Sequence, residues 1–275
     1  MNALAVIAMK EIRDGIRNRW VVGSILLLTV LAVSLLLLGS AATGTVRADP
    51  MAITVVSLSS LTVYLLPLIA LTLSFDALIG EFERGTMLLL LAYPVTRWQI
   101  IAGKFMAHMT ILAAAVLVGY GVTGMALGIT GGVEKSGLLA YLGMMGSSIL
   151  LGAVFVGLGY LVSMLSRERA TAVAYAIGVW LVFVVLYDLM LLGIVVADES
   201  HNVSQQLFSV LLLASPTDVY RILNLTGTDA VKLVSGMATV ANTMELNSSV
   251  LVMIMVGWVA APLIATGILF NRREL

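Results

Sequence analysis

Long apolar runs recur along the chain and restrict it to one class of fold. Each is about 20 residues or longer, the length that a helix needs to cross the hydrocarbon core of a bilayer. Hydrophobic residues make up 60% of the 275-residue chain and charged residues only 11%. We therefore predict an all-α polytopic membrane protein, a single transmembrane domain over residues 1–275. Its six predicted transmembrane helices are 20–39, 52–75, 98–128, 138–165, 170–196 and 250–270.

Lysine and arginine are distributed unequally between the two sides of these predicted helices. One side carries Lys10, Arg13, Arg17, Arg19, Arg84, Arg97, Lys104, Arg167, Arg169, Arg272 and Arg273. The other side carries Arg47, Lys135, Arg221 and Lys232. Because cytoplasmic segments are enriched in basic residues, both termini are expected in the cytoplasm, with the first apolar run kept as a signal anchor.

Several function classes are disfavoured by what the chain lacks. It has no cysteine, which excludes disulfides and thiolate metal sites, and its formal net charge is zero, which gives no bulk attraction to nucleic acid. Gly80 and Gly85 have the spacing of a phosphate-binding loop, but Thr86 stands where that loop requires lysine. No catalytic motif is evident. We expect a non-catalytic chain that binds no metal, cofactor or nucleotide itself.

Residues 1–19 have the pattern of an amphipathic helix. The apolar residues of this segment recur every three to five positions, and its charged residues fall between them: Leu4, Ile7, Ile12, Ile16 and Trp20 against Lys10, Arg13, Asp14 and Arg17. Such a helix lies in the membrane interface, where its basic residues meet lipid headgroups. The alternative is an ordinary solvated basic flank.

A polar window at 81–97 separates the second and third predicted spans. Its polar and turn-forming residues are Glu81, Glu83, Arg84, Gly85, Thr86, Pro94, Thr96 and Arg97. They bracket the apolar stretch 87–93, which is too short to cross a bilayer. Exposed leucines need a partner or a lipid surface, so we predict a short helix fitted to a groove on another protein. Gly85 followed by Thr86 suggests that one helix ends and another is capped, and Thr96 with Gln99 predicts a capping box for the third span. The charged residues of the window are available as salt-bridge partners. The alternative is an ordinary cytoplasmic loop.

The longest connection, 197–249, lies on the outer side between the fifth and sixth spans. Ser215, Pro216 and Asp218 have the order of a helix start, with a capping serine, proline at the first position and an acidic residue at the third. Tyr220 and Arg221 follow on an amphipathic stretch. We expect two or three small helices that cover the outer face.

Three ionisable residues in the apolar runs or at their ends are considered as candidate sites. Asp76 ends the second span, His108 lies about two turns into the third, and Asp188 lies near the outer end of the fifth. Such residues are candidate functional sites in membrane proteins. A structural role is favoured for Asp76 and a neutral, hydrogen-bonded state for His108, whereas Asp188 could pair across helices or cap an aqueous vestibule. A proton relay is disfavoured, because the three residues lie at different depths and no lysine or arginine partner is evident inside the spans.

Four segments together resemble membrane subunits of ABC transporters of the ABC-2 type: Lys10–Asp14 with Arg17–Trp20, Glu81–Thr86, Tyr93–Arg97 with Gly103 and Lys104, and Ser215–Arg221. The resemblance extends over the whole chain, and is greatest to the permeases encoded with nitrous oxide reductase maturation factors. It implies a homodimer in the bacterial inner membrane. Each copy would carry a separate cytoplasmic ATPase subunit that binds ATP and Mg²⁺, with residues 81–97 as the coupling region.

The resemblance also implies a periplasmic partner that docks on the outer loop at Ser215, Pro216, Asp218, Tyr220 and Arg221. The assembly would serve copper-site maturation by transmitting conformational change or by moving a sulfur or copper species. Mechanical transmission suits a chain without cysteine best. The alternatives are an exporter of lipid, polysaccharide or a small molecule, and an ion-coupled carrier without an ATPase. An intramembrane enzyme is disfavoured.

Overall fold

The structure, a computed structural model, describes residues 3–17, 19–42, 50–130, 135–197, 205–225 and 247–273. These residues form helices and short connections, and no strand occurs among them. The helices are α1 (Ala3–Arg17), α2 (Arg19–Ala42), α3 (Pro50–Ser74), α4 (Ile79–Glu83), α5 (Thr86–Leu91), α6 (Arg97–Thr130), α7 (Lys135–Leu165), α8 (Arg169–Leu181), a π-helical segment (Val182–Leu186), α9 (Tyr187–Ala197), α10 (Gln205–Leu213), α11 (Pro216–Leu225) and α12 (Ser248–Arg272).

Five helical stretches are long and apolar enough to cross a membrane: Thr54–Glu83, Arg97–Ile129, Lys135–Leu165, Arg169–Ala197 and Ser248–Arg272. A sixth crossing results if α1 and α2, which are bent by 66° relative to each other, count as one broken span. The prediction of an all-helical, multi-pass membrane protein is confirmed. The interfacial position of α1 and the division of residues 1–275 into functional regions stay predictions.

Helix α7 lies at the centre of the bundle and packs against α3 and α12. In its most apolar window 72% of residues are buried, against 11% in the stretch Arg169–Ala197. Small residues permit this close packing: a Cβ atom at Gly159 would collide with the Ser74 hydroxyl of α3. Helices α8 and α9 therefore form an edge of the described bundle, with most of their apolar side chains uncovered.

Helix α1 packs along α6 rather than standing apart as a tail. The contact is close at Gly103, where an added Cβ atom would lie 3.1 Å from the carbonyl oxygen of Leu4 and 3.0 Å from the Ile7 side chain. Ile7 is buried, whereas Met9 and Ile16 are exposed. One apolar side of α1 is thus covered by the protein and another is left free.

Candidate functional site

The polar window folds as two short helices joined at a glycine. The Ser163 hydroxyl of α7 accepts hydrogen bonds from the backbone amides of Leu78 and Ile79 at 3.0 and 2.9 Å, which satisfies two amides where α4 begins. At the end of α4, Gly85 has φ +69°, a left-handed conformation that glycine adopts without steric cost. The chain therefore turns sharply between α4 and α5.

Helix α5 presents an uncovered apolar surface. Met87 is buried, but Leu88, Leu89 and Tyr93 are 58%, 66% and 70% exposed. Within the described residues, nothing covers these three side chains. The short apolar helix predicted at 87–93 is found as Thr86–Leu91. Its predicted fit to a partner groove is untested and stays a prediction.

The N-termini of α5 and α6 are capped in different ways. Thr96 and Gln99 form the expected capping box at the start of α6, with backbone amide to side-chain distances of 2.9 and 3.3 Å. The expectation that Thr86 caps α5 is wrong, because Gly85 holds that position and Thr86 is already helical. The Thr86 hydroxyl instead donates to a carboxylate oxygen of Glu81.

A buried lysine joins three helices beneath this window. Lys104 of α6 is 2% exposed, and its Nζ lies 2.5 Å from Glu11 Oε1 of α1 and 3.1 Å from Glu81 Oε1 of α4. Lys10 Nζ lies 3.4 Å from the same Glu81 oxygen. We call Lys104, Glu11 and Glu81 the inner cluster. It makes α1 a structural neighbour of the polar window, which the sequence pattern did not predict.

Electrostatics in the inner cluster favour charged groups. Burial alone would raise the pKa of Glu11, but the nearby ammonium groups of Lys104 and Lys10 hold that pKa below its usual value of 4.5. Glu81 was predicted as a site residue, whereas Glu11 and Lys104 were not. The available signal was a lysine two turns inside an apolar span, because such a charge requires an acidic partner.

The other charged residues of the window stabilise neighbouring helix ends. Glu83 Oε1 accepts a hydrogen bond of 2.7 Å from the Arg169 backbone amide, at the start of α8. Arg97 donates to the carbonyl oxygens of Phe270 and Arg273 at the end of α12. Of the four available salt-bridge partners in the window, Glu81 and Arg84 pair with each other, at 3.9 Å.

A cavity of about 580 Å³ opens between α1, α5, the C-terminal end of α3 and the N-terminal part of α6. Both acidic and basic side chains line it, together with apolar ones. Its polar lining includes Asp14, the inner-cluster residues Glu81 and Lys104, and the intramembrane candidates Asp76 and His108. The inner cluster thus forms part of the wall of a cleft next to the uncovered face of α5.

The three intramembrane candidates have partners. Asp76 Oδ2 lies 2.6 Å from Arg169 Nη2, and His108 Nδ1 lies 2.9 Å from the Tyr160 hydroxyl. Asp188 Oδ2 lies 2.7 Å from Arg221 Nη2. Both arginines lie outside the predicted spans, Arg169 immediately before the fifth span and Arg221 in the long connection after it, so they do not contradict the expectation of no lysine or arginine partner inside the spans. Asp76 and His108 line the same cavity, and Asp188 belongs to the cluster that includes α11.

Residues 215–221 form the predicted helix start, but most of their side chains are buried. The Ser215 hydroxyl accepts a 3.4 Å hydrogen bond from the Asp218 amide, and α11 begins at Pro216. Ser215, Pro216, Asp218 and Tyr220 are all buried, and the Tyr220 hydroxyl lies 3.0 Å from that of Ser148 in α7. Of the five residues predicted to dock a partner, only Arg221 is not buried in this conformation. The predicted docking role is untested, and 226–246 lie outside the described residues.

These elements define a polytopic membrane protein with a charged window between its spans. The family model described as ABC-2 family transporter protein matches residues 5–275, and the chain belongs to that family. A protein of Pseudomonas aeruginosa named "Probable ABC transporter permease protein NosY" is 43% identical over 277 residues, with both chains fully covered. A protein of the same name from Stutzerimonas stutzeri is 41% identical over 275 residues, 99% of each chain.

Proposed function

We propose that this chain is the permease-like membrane subunit that couples a separate ATPase to copper-site maturation of nitrous oxide reductase. The observation that carries the proposal is end-to-end similarity to two proteins named NosY. Membership of the ABC-2 family makes the chain a transport component, and ATP hydrolysis is assigned to a partner. ATP and Mg²⁺ would therefore be bound by that partner.

The input surface in this proposal is the uncovered face of α5. Leu88, Leu89 and Tyr93 offer an apolar patch to a NosF-like cytoplasmic ATPase. Charged residues surround the patch, as in protein interfaces whose apolar core has a polar rim. Movement of α5 would act on α4 through the turn at Gly85, and on α1 and α6 through Glu81 and Lys104.

The output in this proposal is a conformational change at the opposite end of the bundle, received by a NosD-like periplasmic protein. Helix α4 follows α3 closely, and α11 packs against α3, α7 and α12. These helices would transmit the motion. Two copies of the chain would assemble as a homodimer in the inner membrane, with both termini in the cytoplasm. Mechanical transmission is favoured over movement of a sulfur or copper species, because the chain has no cysteine.

An ion-coupled carrier receives less support. The ionisable candidates Asp76, His108 and Asp188 each bond to a neighbouring side chain, which is the arrangement of structural groups. An exporter of lipid, polysaccharide or a small molecule shares the ATPase but not the periplasmic protein. Partner composition therefore separates the three functions.

The first experiment is affinity purification of the full chain from solubilised native membranes, with mass spectrometry of co-purifying proteins. Recovery of an ATPase together with a periplasmic protein supports the maturation complex. Recovery of an ATPase alone favours an exporter. Recovery of neither contradicts an ABC assembly.

A second experiment tests the surface itself. Leu89→Asp should weaken binding of the co-purified ATPase by at least about tenfold, because it places a charge in the centre of an apolar contact. Met9→Asp is the matched control, since Met9 is a similarly exposed apolar residue on α1. Equal binding by both variants would exclude α5 as the contact.

A further inference from the structure

The two carboxylates around Arg221 are held unequally. Arg221 Nη1 and Nη2 lie 2.7 Å from Asp188 Oδ1 and Oδ2, a two-point contact between a guanidinium and a carboxylate. The only ion pair of Asp218 with Arg221 is a longer one, 3.2 Å from Nη1 to Oδ1. We call Arg221, Asp188 and Asp218 the outer cluster. Arg221, its single cation, therefore interacts more closely with Asp188 than with Asp218.

Asp218 is left with an unpaired oxygen. The residue is 5% exposed, and its Oδ2 atom is buried without a hydrogen-bond partner in the described part of the chain. A buried ionised carboxylate that lacks a full set of donors is costly. Two carboxylates share one guanidinium here, so the outer cluster carries one excess negative charge when all three groups are ionised.

Among the described residues, the Ser215 hydroxyl is the main group besides Arg221 that offsets this charge. In the described residues, the titratable groups that face the cluster are Tyr187 of α9 and Tyr64 of α3. The π-helical segment and α10 contain no titratable side chain, and α12 contains only Arg272 at its opposite end. From α7, the hydroxyls of Ser147 and Ser148 reach α11 but are bonded to Asn224 and Tyr220. Burial raises the pKa of Asp218 to about 6, although Arg221 opposes the change.

Helix α11 is also attached to the π-helical segment of the fifth span. The Thr217 hydroxyl, next to Asp218, donates a 2.9 Å hydrogen bond to the Phe183 carbonyl oxygen in the π-helical segment. A π-helical turn leaves a backbone carbonyl short of its usual partner, and such turns are frequent at functional sites. The contact at Thr217, one residue before Asp218, therefore holds α11 to the segment where the span is irregular.

We propose that Asp218 is a proton-binding site whose occupancy decides how firmly α11 is seated against the fifth span. When a proton from water binds the free Oδ2 atom, the excess charge disappears and Arg221 is left to Asp188. When the proton leaves, two carboxylates compete for one guanidinium, and partial exposure of α11 relieves the charge. The inference goes beyond the proposed function and does not require an ATPase.

Proton binding is tested by infrared difference spectroscopy of the full chain in lipid nanodiscs between pH 5 and pH 7.5. The carbonyl stretch of a protonated, buried carboxyl group should appear with a midpoint near pH 6. It should be lost in Asp218→Asn and kept in Asp14→Asn, a control at a carboxylate that is 58% exposed. A band that persists in Asp218→Asn overturns the proposal.

Seating is tested by hydrogen exchange of the α11 amides, corrected for the intrinsic effect of pH. The wild-type chain should open about tenfold more often at pH 7.5 than at pH 5, as proton linkage to a group with this pKa requires. In Asp218→Asn the corrected rates should be equal at both pH values. A tenfold difference that survives in Asp218→Asn would overturn the proposal, as would equal rates in the wild type.

Discussion

The inner and outer clusters lie at opposite ends of the bundle, and each has one cation between two carboxylates. They differ in the further charged and hydrogen-bonding groups that surround those carboxylates. Around Lys104, further groups stabilise the Glu81 carboxylate: the Lys10 ammonium and the Thr86 hydroxyl donate hydrogen bonds to it, and the Arg84 guanidinium forms a longer ion pair with it. Around Arg221, no second cation is found among the described residues, and one Asp218 oxygen has no partner.

The difference shows that burial alone does not decide the ionisation of a carboxylate. The side chain of Glu11 is 13% exposed and that of Asp218 is 6% exposed, yet their pKa values shift in opposite directions. Surplus cations near Glu11 outweigh desolvation, whereas Asp218 shares its only cation. The inner cluster is therefore built to stay charged, and the outer cluster to exchange a proton.

The largest effect is expected from Lys104→Met. It removes the buried cation and leaves Glu11 and Glu81 to share only the half-exposed Lys10 ammonium, which should lower the free energy of unfolding by about 3 kcal/mol. The measurement is denaturant unfolding of the chain in detergent micelles. The triple variant Glu11→Gln, Lys104→Met, Glu81→Gln should recover much of the loss, because no charge is left unpaired. A triple variant as unstable as Lys104→Met would contradict the electrostatic explanation.

The pH dependence of stability should have opposite signs at the two clusters. The raised pKa of Asp218 favours folding below pH 3.8, and this contribution, about 3 kcal/mol, is lost as pH rises to about 6. The lowered pKa of Glu11 acts in reverse: its contribution is present above about pH 4.5 and is lost as pH falls through its folded value.

Unfolding of the wild type, Asp218→Asn and Glu11→Gln between pH 4 and pH 7.5 separates the two contributions. Asp218→Asn should be less sensitive than the wild type to rising pH, and Glu11→Gln less sensitive to falling pH. Identical pH profiles for all three proteins would show that the two clusters do not differ in proton binding.

The smallest effect is expected from Thr86→Val. The change removes one hydroxyl that donates to Glu81, while Lys104 and Lys10 remain near that carboxylate. Unfolding in the same micelles should show a loss of about 1 kcal/mol. Thr217→Val is the matched change at the outer end, where the Phe183 carbonyl oxygen loses its donor. A loss at Thr86 as large as that of Lys104→Met would mean that the hydroxyl, not the lysine, holds the inner cluster together.

Sequence reasoning was most successful where local rules apply. The lengths of the apolar runs predicted the helices, and the order of residues predicted the capping box at Thr96 and the helix start at Pro216. It was less successful for partners distant in sequence. Asp76 and Arg169 lie 93 residues apart, and nothing in the spacing of either segment brings them together.

The sequence by itself determined the class of protein, because a bilayer admits only helices of this length and polarity, and its similarity over the full chain determined the family. Tertiary structure alone decided which charges meet. It buried Lys104 between Glu11 and Glu81, and it turned the side chains at 215–220 inward, although the family resemblance implied a docking surface there. The physical reason is that apolar burial depends on local pattern, whereas the energy of a buried charge depends on the partners that packing supplies.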